Sequence, residues 1–244
     1  LLEHDLFRKP VPTFRDHALG APKALAEAVG DEKTLPAEGI AWHGRSMPRL
    51  DFWYEFASTY SYLAAMRIES LAKAVGVEVR WRPFLLGPIF KAQGMETSPF
   101  NLYPLKGKNM WRDLERWSEI LKLPKFVSPK VFPAHPLAAS RIALALDDAA
   151  RPDFTRAVYR AEFTGGKDIA DPATLNEILK NLGHDSAAVA AKSGEQPVKD
   201  KLRANTEEAL KLGIFGAPNF VSVDGELFWG NDRLEQALVW AKKN

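Results

Sequence analysis

Cysteine is missing from all 244 residues, which excludes a disulfide framework, a thiolate metal site and any thiol–disulfide chemistry carried by the protein itself. Any sulfur chemistry must be imported. An excess of one charge sign is missing too: 33 basic residues stand against 31 acidic ones, and the basic residues are spread along the chain. That balance gives no footing for nucleic acid or an anionic membrane as partner. No run approaches the ~18 continuous apolar residues of a helical membrane span, and no charged-then-apolar leader opens the chain, so a cytoplasmic location is the expectation. Histidine is scarce. His4, His17, His43, His135 and His184 show no paired metal-ligand spacing, so no metal site is expected, and only His135 stands out as a candidate substrate contact.

What is present is a chain of ordinary globular composition, 46% hydrophobic and 26% charged, long enough for a large core with an inserted subdomain. Residues 1–48 carry Pro10, Pro12 and Pro36 and one short helical stretch at 22–29. They read as an extension or an appended leader, with Met47 as a natural start. From Leu50, the aromatic-dense LDFWYEFA reads as a buried strand. Tyr60, Leu63, Ala64, Ile68, Leu71 and Val75 then recur at helical steps and predict one amphipathic helix closed by Gly76. Val77 to Phe84 predicts a second strand, parallel to the first because a helix intervenes.

Residues 87–211 are helical in pattern, seen in MWRDLERWSEILKL, HPLAASRIALALDDAA, DFTRAVYRAEF, ATLNEILKNL and PVKDKLRANTEEALKL. Strand character returns at APNFVSV. Asp224-Gly225 between that run and ELFWG predicts a hairpin, and Asp232 to Lys242 predicts a final helix. The order predicts an α/β, thioredoxin-like fold with an inserted all-helical domain: residues 49–86 and 212–244 form the first part and 87–211 the insertion.

Three distant segments would meet at one edge of such a fold. Ser58 falls at the strand-to-helix turn, where it either caps the helix or helps to hold an anion such as a thiolate at the free amides. Pro218, in FGAPNF, fits a structural bend or a cis peptide that presents the Ala217 backbone to a ligand. FWGNDRL places a glycine, an amide, a carboxylate and an arginine before the last helix, and Asn231 or Asp232 is either a cap or a ligand contact. Trp111 and Trp117 lie at helical spacing that favours packing over a cofactor role, and Gly165-Gly166-Lys167 lacks the spacing of a phosphate loop.

Together FASTYSYLA, GAPNF and WGNDRL, in that order around a helical insertion, resemble the 2-hydroxychromene-2-carboxylate isomerases, relatives of kappa-class glutathione transferases and DsbA-type oxidoreductases. The likeness runs from about Leu50 to the C-terminus and includes RPFLLGPIF, SPFNLYPLKGKNMWRDLERW and GKDIAD. It implies glutathione as cofactor, a small organic acid from aromatic catabolism as substrate, and a homodimer. It implies Ser58 as the catalytic serine that hydrogen-bonds the glutathione sulfur. Ala217 before Pro218 would pair with the cysteinyl part. Trp229, Gly230, Asn231 and Asp232 would hold the γ-glutamyl end, and Lys106 would lie near the glycyl carboxylate. Lys91, Asn101 and His135 would contact substrate. Thr59 stands in place of a usual proline, Asn109 in place of a tyrosine, and His135-Pro136 in place of an Asn-Ser pair. These departures concentrate at the substrate end. The same resemblance leaves a kappa-like transferase open, and a thioredoxin-fold protein that only binds peptides is a further alternative.

Overall fold

The structure, a computed structural model, describes residues 47–243. The predicted helix at 22–29 and His4, His17 and His43 lie outside them. Among the described residues, strands β1 (Arg49–Tyr54), β2 (Glu78–Pro83), β3 (Asn219–Ser222) and β4 (Leu227–Trp229) form one sheet in the order β2-β1-β3-β4. β1 pairs parallel with β2, Leu50 opposite Val79, and antiparallel with β3, Phe52 opposite Phe220. β3 and β4 close the antiparallel hairpin predicted at Asp224-Gly225, where Gly225 takes φ 87°. This is the mixed sheet of a thioredoxin-like fold.

The central place of β1 follows from its composition. Successive side chains of a strand face opposite sides, so a strand covered on both faces is apolar along most of its length, and the one buried charge of β1, Asp51, is paired with Arg80 at 2.7 Å. Trp53 packs with Phe84, Ile89, Ala209, Ile214 and Val221. Phe52 and Tyr54 project into a second aromatic layer: Phe52 stacks on Phe220 at 5.5 Å, and Tyr54 meets Trp81 edge-on at 5.5 Å. Such ring geometries add to area burial.

The single helix expected between β1 and β2 is two helices, α1 (Thr59–Ala65) and α2 (Ile68–Val75). The apolar spacing runs through both, but Met66 and Arg67 form a break, with Arg67 at φ −129° and ψ −16°. At that break the Arg67 side chain reaches across to residues 231 and 235. Gly76 ends α2 in the left-handed conformation, as its position predicts.

Between β2 and β3 lie α3 (Leu86–Ala92), α4 (Pro99–Leu102), α5 (Pro104–Ile120), α6 (Leu137–Ala145), α7 (Arg151–Phe163), α8 (Pro172–Asn181), α9 (Ser186–Ser193) and α10 (Gln196–Lys211). The final predicted helix begins as a 3-10 turn at Asn231–Arg233 before α11 (Leu234–Lys243). Trp111 packs on Phe126 and Phe132, the role its spacing favours. α7 sits behind α1, where Tyr62 meets Tyr159 and Phe163 at ring separations of 6.2 and 5.4 Å. That packing fixes the start of α1 against the core.

Candidate active site

Ser58 is the residue from which the site is built. It caps α1 from an extended conformation (φ −83°, ψ 112°), and its Oγ accepts the Ser61 amide at 3.2 Å. The same hydroxyl donates to the Ala217 carbonyl at 3.1 Å. Capping and a place at the site are therefore compatible roles of one half-buried side chain. The peptide between Ala217 and Pro218 is cis.

The second and third segments are joined by the Gly230 amide, which donates to the Pro218 carbonyl at 3.0 Å. Gly230 has φ 107°, and a Cβ there would lie 2.6 Å from Asp232 Oδ1. Only glycine suits that conformation and that approach. A Cβ at Gly216 would meet Trp229 Nε1 at 2.7 Å, so a side chain there would displace the indole. Trp229 is half exposed and packs on Phe215 with ring centroids 4.8 Å apart. Ser58, Ala217, Pro218, Gly230, Asn231 and Asp232 thus come together at one end of the sheet, beyond the end of β1 and the start of β3.

Two of these residues behave differently although adjacent. Asn231 is buried, and its Oδ1 accepts Arg67 Nε at 3.2 Å, so its side chain serves the protein interior. Asp232 is exposed and pairs with Arg233 at 3.1 Å. Of the two, it is the carboxylate that faces out. The phenol of Tyr60, on the first turn of α1, donates to Asp113 at 3.1 Å. Burial first, then the negative charge of Asp113, pushes the Tyr60 phenol up, and Asp232 adds to the same effect.

The residues expected at the substrate end, Lys91, Asn101 and His135, and Lys106, expected at the glycyl carboxylate, lie on or beside the α3–α5 region. Phe100 of α4 packs on Tyr60 at 6.2 Å. Gly107 lets α5 approach α4, since a Cβ there would lie 2.4 Å from the Phe100 carbonyl. Thr59 donates to the Met110 sulfur at 3.2 Å and so joins α1 to α5. Asn101 donates to Thr97 at 3.3 Å and to the Phe132 carbonyl at 3.1 Å, which ties it to the loop carrying His135. Lys106 lies over the Tyr103 ring at 4.6 Å. Lys91, Lys106 and His135 are exposed, and no hydrogen bond or ion pair connects them to Ser58. Among the described residues no cluster of three or more histidine, aspartate or glutamate side chains is placed to hold a metal ion, and no helix is long and apolar enough to cross a membrane.

Sequence reasoning missed three residues. Glu55, three positions before Ser58, is buried beneath the turn: its carboxylate accepts the Ala57 amide at 2.8 Å, while its carbonyl accepts the Ser58 amide at 3.0 Å and the Tyr159 hydroxyl at 2.9 Å. Burial pushes its carboxyl from the ordinary 4.5 up to about 8, against the opposing pull of the Ala57 and Ser58 amides. Glu162 is fully buried on α7 with no hydrogen-bond partner for either oxygen. Desolvation, then Glu55 nearby, holds it well above the carboxylate range. The third is Arg67. A signal existed only for Glu55, as an acid inside an otherwise apolar strand end.

Comparison with known proteins places the chain in a family. Residues 49–238 match the family model of the DSBA-like thioredoxin domain. The chain belongs to the DSBA-like thioredoxin family. Within it, the chain is 31% identical over 191 residues to a 2-hydroxychromene-2-carboxylate isomerase of Sphingobium xenophagum, covering 76% of this chain and 94% of the relative. It is 27% identical over 198 residues to glutathione S-transferase kappa 2 of Caenorhabditis elegans, covering 76% and 88%. Among solved structures, a 2-hydroxychromene-2-carboxylate isomerase superposes with a TM-score of 0.65 at 25% identity, covering 77% of this chain and 91% of that one. This member of the family has no cysteine at the start of α1 or anywhere else.

Proposed function

We propose that this DSBA-like protein binds glutathione with the sulfur at Ser58 and uses the thiolate to isomerise a small unsaturated acid, 2-hydroxychromene-2-carboxylate or a related acid of aromatic catabolism. The observation that carries the reading is the Ser58 hydroxyl, which sits at the start of α1 in contact with the Ala217 carbonyl in a chain with no thiol of its own. A hydroxyl there is free to turn from the carbonyl to a sulfur, and a donated hydrogen bond favours the charged form of the group that accepts it. The unpaired first-turn amides of a helix add to the same preference.

In this reading the Ala217 backbone, followed by Pro218, faces the cysteinyl part. Trp229 and Gly230 shape the γ-glutamyl end, Asn231 holds the turn from inside, and Asp232 answers the α-ammonium. Lys106 meets the glycyl carboxylate. Lys91, Asn101 and His135 face the acid substrate.

The reaction is an addition followed by an elimination. The thiolate forms a C–S bond to one carbon of a double bond in the ring-opened acid, and the π electrons move onto the conjugated carbonyl. The former double bond then rotates. Return of those electrons expels the thiolate and restores a trans alkene, so glutathione is regenerated. Binding supplies orientation, and the borrowed thiolate supplies the nucleophile.

A kappa-like transferase is the second reading, favoured by the likeness to the Caenorhabditis elegans kappa protein. It stops at the C–S bond. Turnover of 2-hydroxychromene-2-carboxylate is measured with and without glutathione while free thiol is counted. The isomerase reading expects glutathione-dependent turnover at constant free thiol. Thiol consumed in step with product would support the transferase, and turnover indifferent to glutathione would refute both.

A further inference from the structure

Arg67 stands at the break between α1 and α2, at the opposite end of α1 from Ser58. Its guanidinium is forked over Glu235, with Nη1 to Oε1 at 2.5 Å and Nη2 to Oε2 at 3.0 Å. It also donates from Nε to Asn231 Oδ1 at 3.2 Å and from Nη2 to the Asn231 carbonyl at 2.8 Å. The side chain is only 15% exposed, so the pair is weakly screened by solvent. A planar five-donor fork suits this double task, which a lysine cannot perform.

The partners bracket the turn that presents Asp232. Asn231 begins the 3-10 turn and Glu235 lies on the first turn of α11, while Asp232 between them points outward. Helix α1 connects the two ends as a short rod, Ser58 capping its start and Arg67 lying just beyond its end. We propose that Arg67 is a positioning residue that fixes the Asn231–Glu235 turn relative to Ser58, so that one tripeptide reaches both the Ser58 hydroxyl and the Asp232 carboxylate. The proposal rests on the glutathione reading above. Arg67 touches neither the sulfur nor the substrate in that arrangement. It acts through Asn231 and Glu235.

The γ-glutamyl end alone should therefore depend on it. Glutathione and cysteinylglycine, the dipeptide without the γ-glutamyl group, are titrated by calorimetry into the full chain as wild type, Arg67→Gln and Glu235→Gln. Arg67→Gln is expected to weaken glutathione about tenfold or more and cysteinylglycine by less than about twofold, with kcat at saturating glutathione changed by less than about threefold. Glu235→Gln should show a smaller loss with the same selectivity. Equal weakening of both thiols, or of neither, overturns the proposal. Should Arg67→Gln fail to fold, the glutathione-to-dipeptide ratio of Glu235→Gln decides. Should wild type bind no glutathione, the preceding reading is what fails. Arg67's hold on the turn is then judged by hydrogen exchange of the Arg233 amide, which donates to the Gly230 carbonyl at 3.0 Å. Faster exchange in either variant supports that hold and unchanged exchange refutes it.

Discussion

Ser58, Ala217, Gly230 and Asn231 are tied to one another or to the helices beneath them by hydrogen bonds of 2.8–3.2 Å, whereas Lys91 and His135 stand exposed on the α3–α5 side. The first group is held by backbone and buried side chains that few substitutions leave undisturbed. The second group is free to change without unfolding anything. Of the three departures named above, Asn109 and His135-Pro136 fall on the exposed side, while Thr59 is buried at the start of α1 and donates to the Met110 sulfur. A family with one cofactor and varied acids would be built this way, because rigid elements position a common ligand and surface loops adjust to the variable one.

The largest effect expected from this contrast lies under the rigid end. The Glu55 carboxyl stays neutral in the folded chain up to about pH 8, but ionises near its ordinary 4.5 when unfolded. Between those values the folded state binds the extra proton, so the contribution of Glu55 to stability is full below about pH 4.5 and declines as pH rises toward about 8. The shift corresponds to about 4–5 kcal/mol at most. Glu55→Gln, which keeps an acceptor for the Ala57 amide, should flatten this slope in denaturant titrations run across that range. A variant with the wild-type slope would show that Glu55 ionises freely. Glu162, held up by burial in the same way, should contribute a slope of the same sign.

Next comes Ser58→Ala. Loss of one hydrogen-bond donor to a developing charge lowers kcat by roughly 10²-fold in comparable sites. Unchanged kcat would move the chemistry away from this end. Gly230→Ala is smaller: a Cβ at φ 107° and 2.6 Å from Asp232 should cost about 1–3 kcal/mol, read as weaker glutathione binding and a lower melting temperature. If binding held, the turn would be less constrained than its geometry states. The smallest effect belongs to the exposed end. Lys91→Ala and His135→Ala should change stability by less than about 0.5 kcal/mol and leave glutathione affinity alone, while raising KM for the acid. A loss of glutathione affinity there would erase the contrast between the two ends.

The legible parts of the chain were those decided locally. The aromatic run of β1, the Gly76 cap and the Asp224-Gly225 turn each depend on a few neighbouring residues, and each stands where its pattern puts it. Helix α9 carries alanines in SAAVAAKS and lacks the wide apolar stripe that marks its neighbours, and α4 is only four residues long. The α1–α2 break was illegible for a different reason: apolar spacing passes straight through it, and the side-chain contacts found at it come from residues more than 160 positions away. The site divides along the same line. Ser58 announces itself as a cap before a helix, and Asp232 as an acid at a helix start. Arg67 looks like any surface arginine until the turn at Asn231 is folded against it. Glu162 looks like an exposed helical acid until α7 is packed behind α1.

The central claim is that Ser58 steadies a glutathione thiolate. The ultraviolet absorbance of the thiolate, followed against pH with glutathione bound, reports this directly. Wild type should ionise the bound thiol at lower pH than free glutathione, and Ser58→Ala should return it toward the free value. Ionisation of the bound thiol at the same pH as in solution, in wild type and variant alike, would contradict the account.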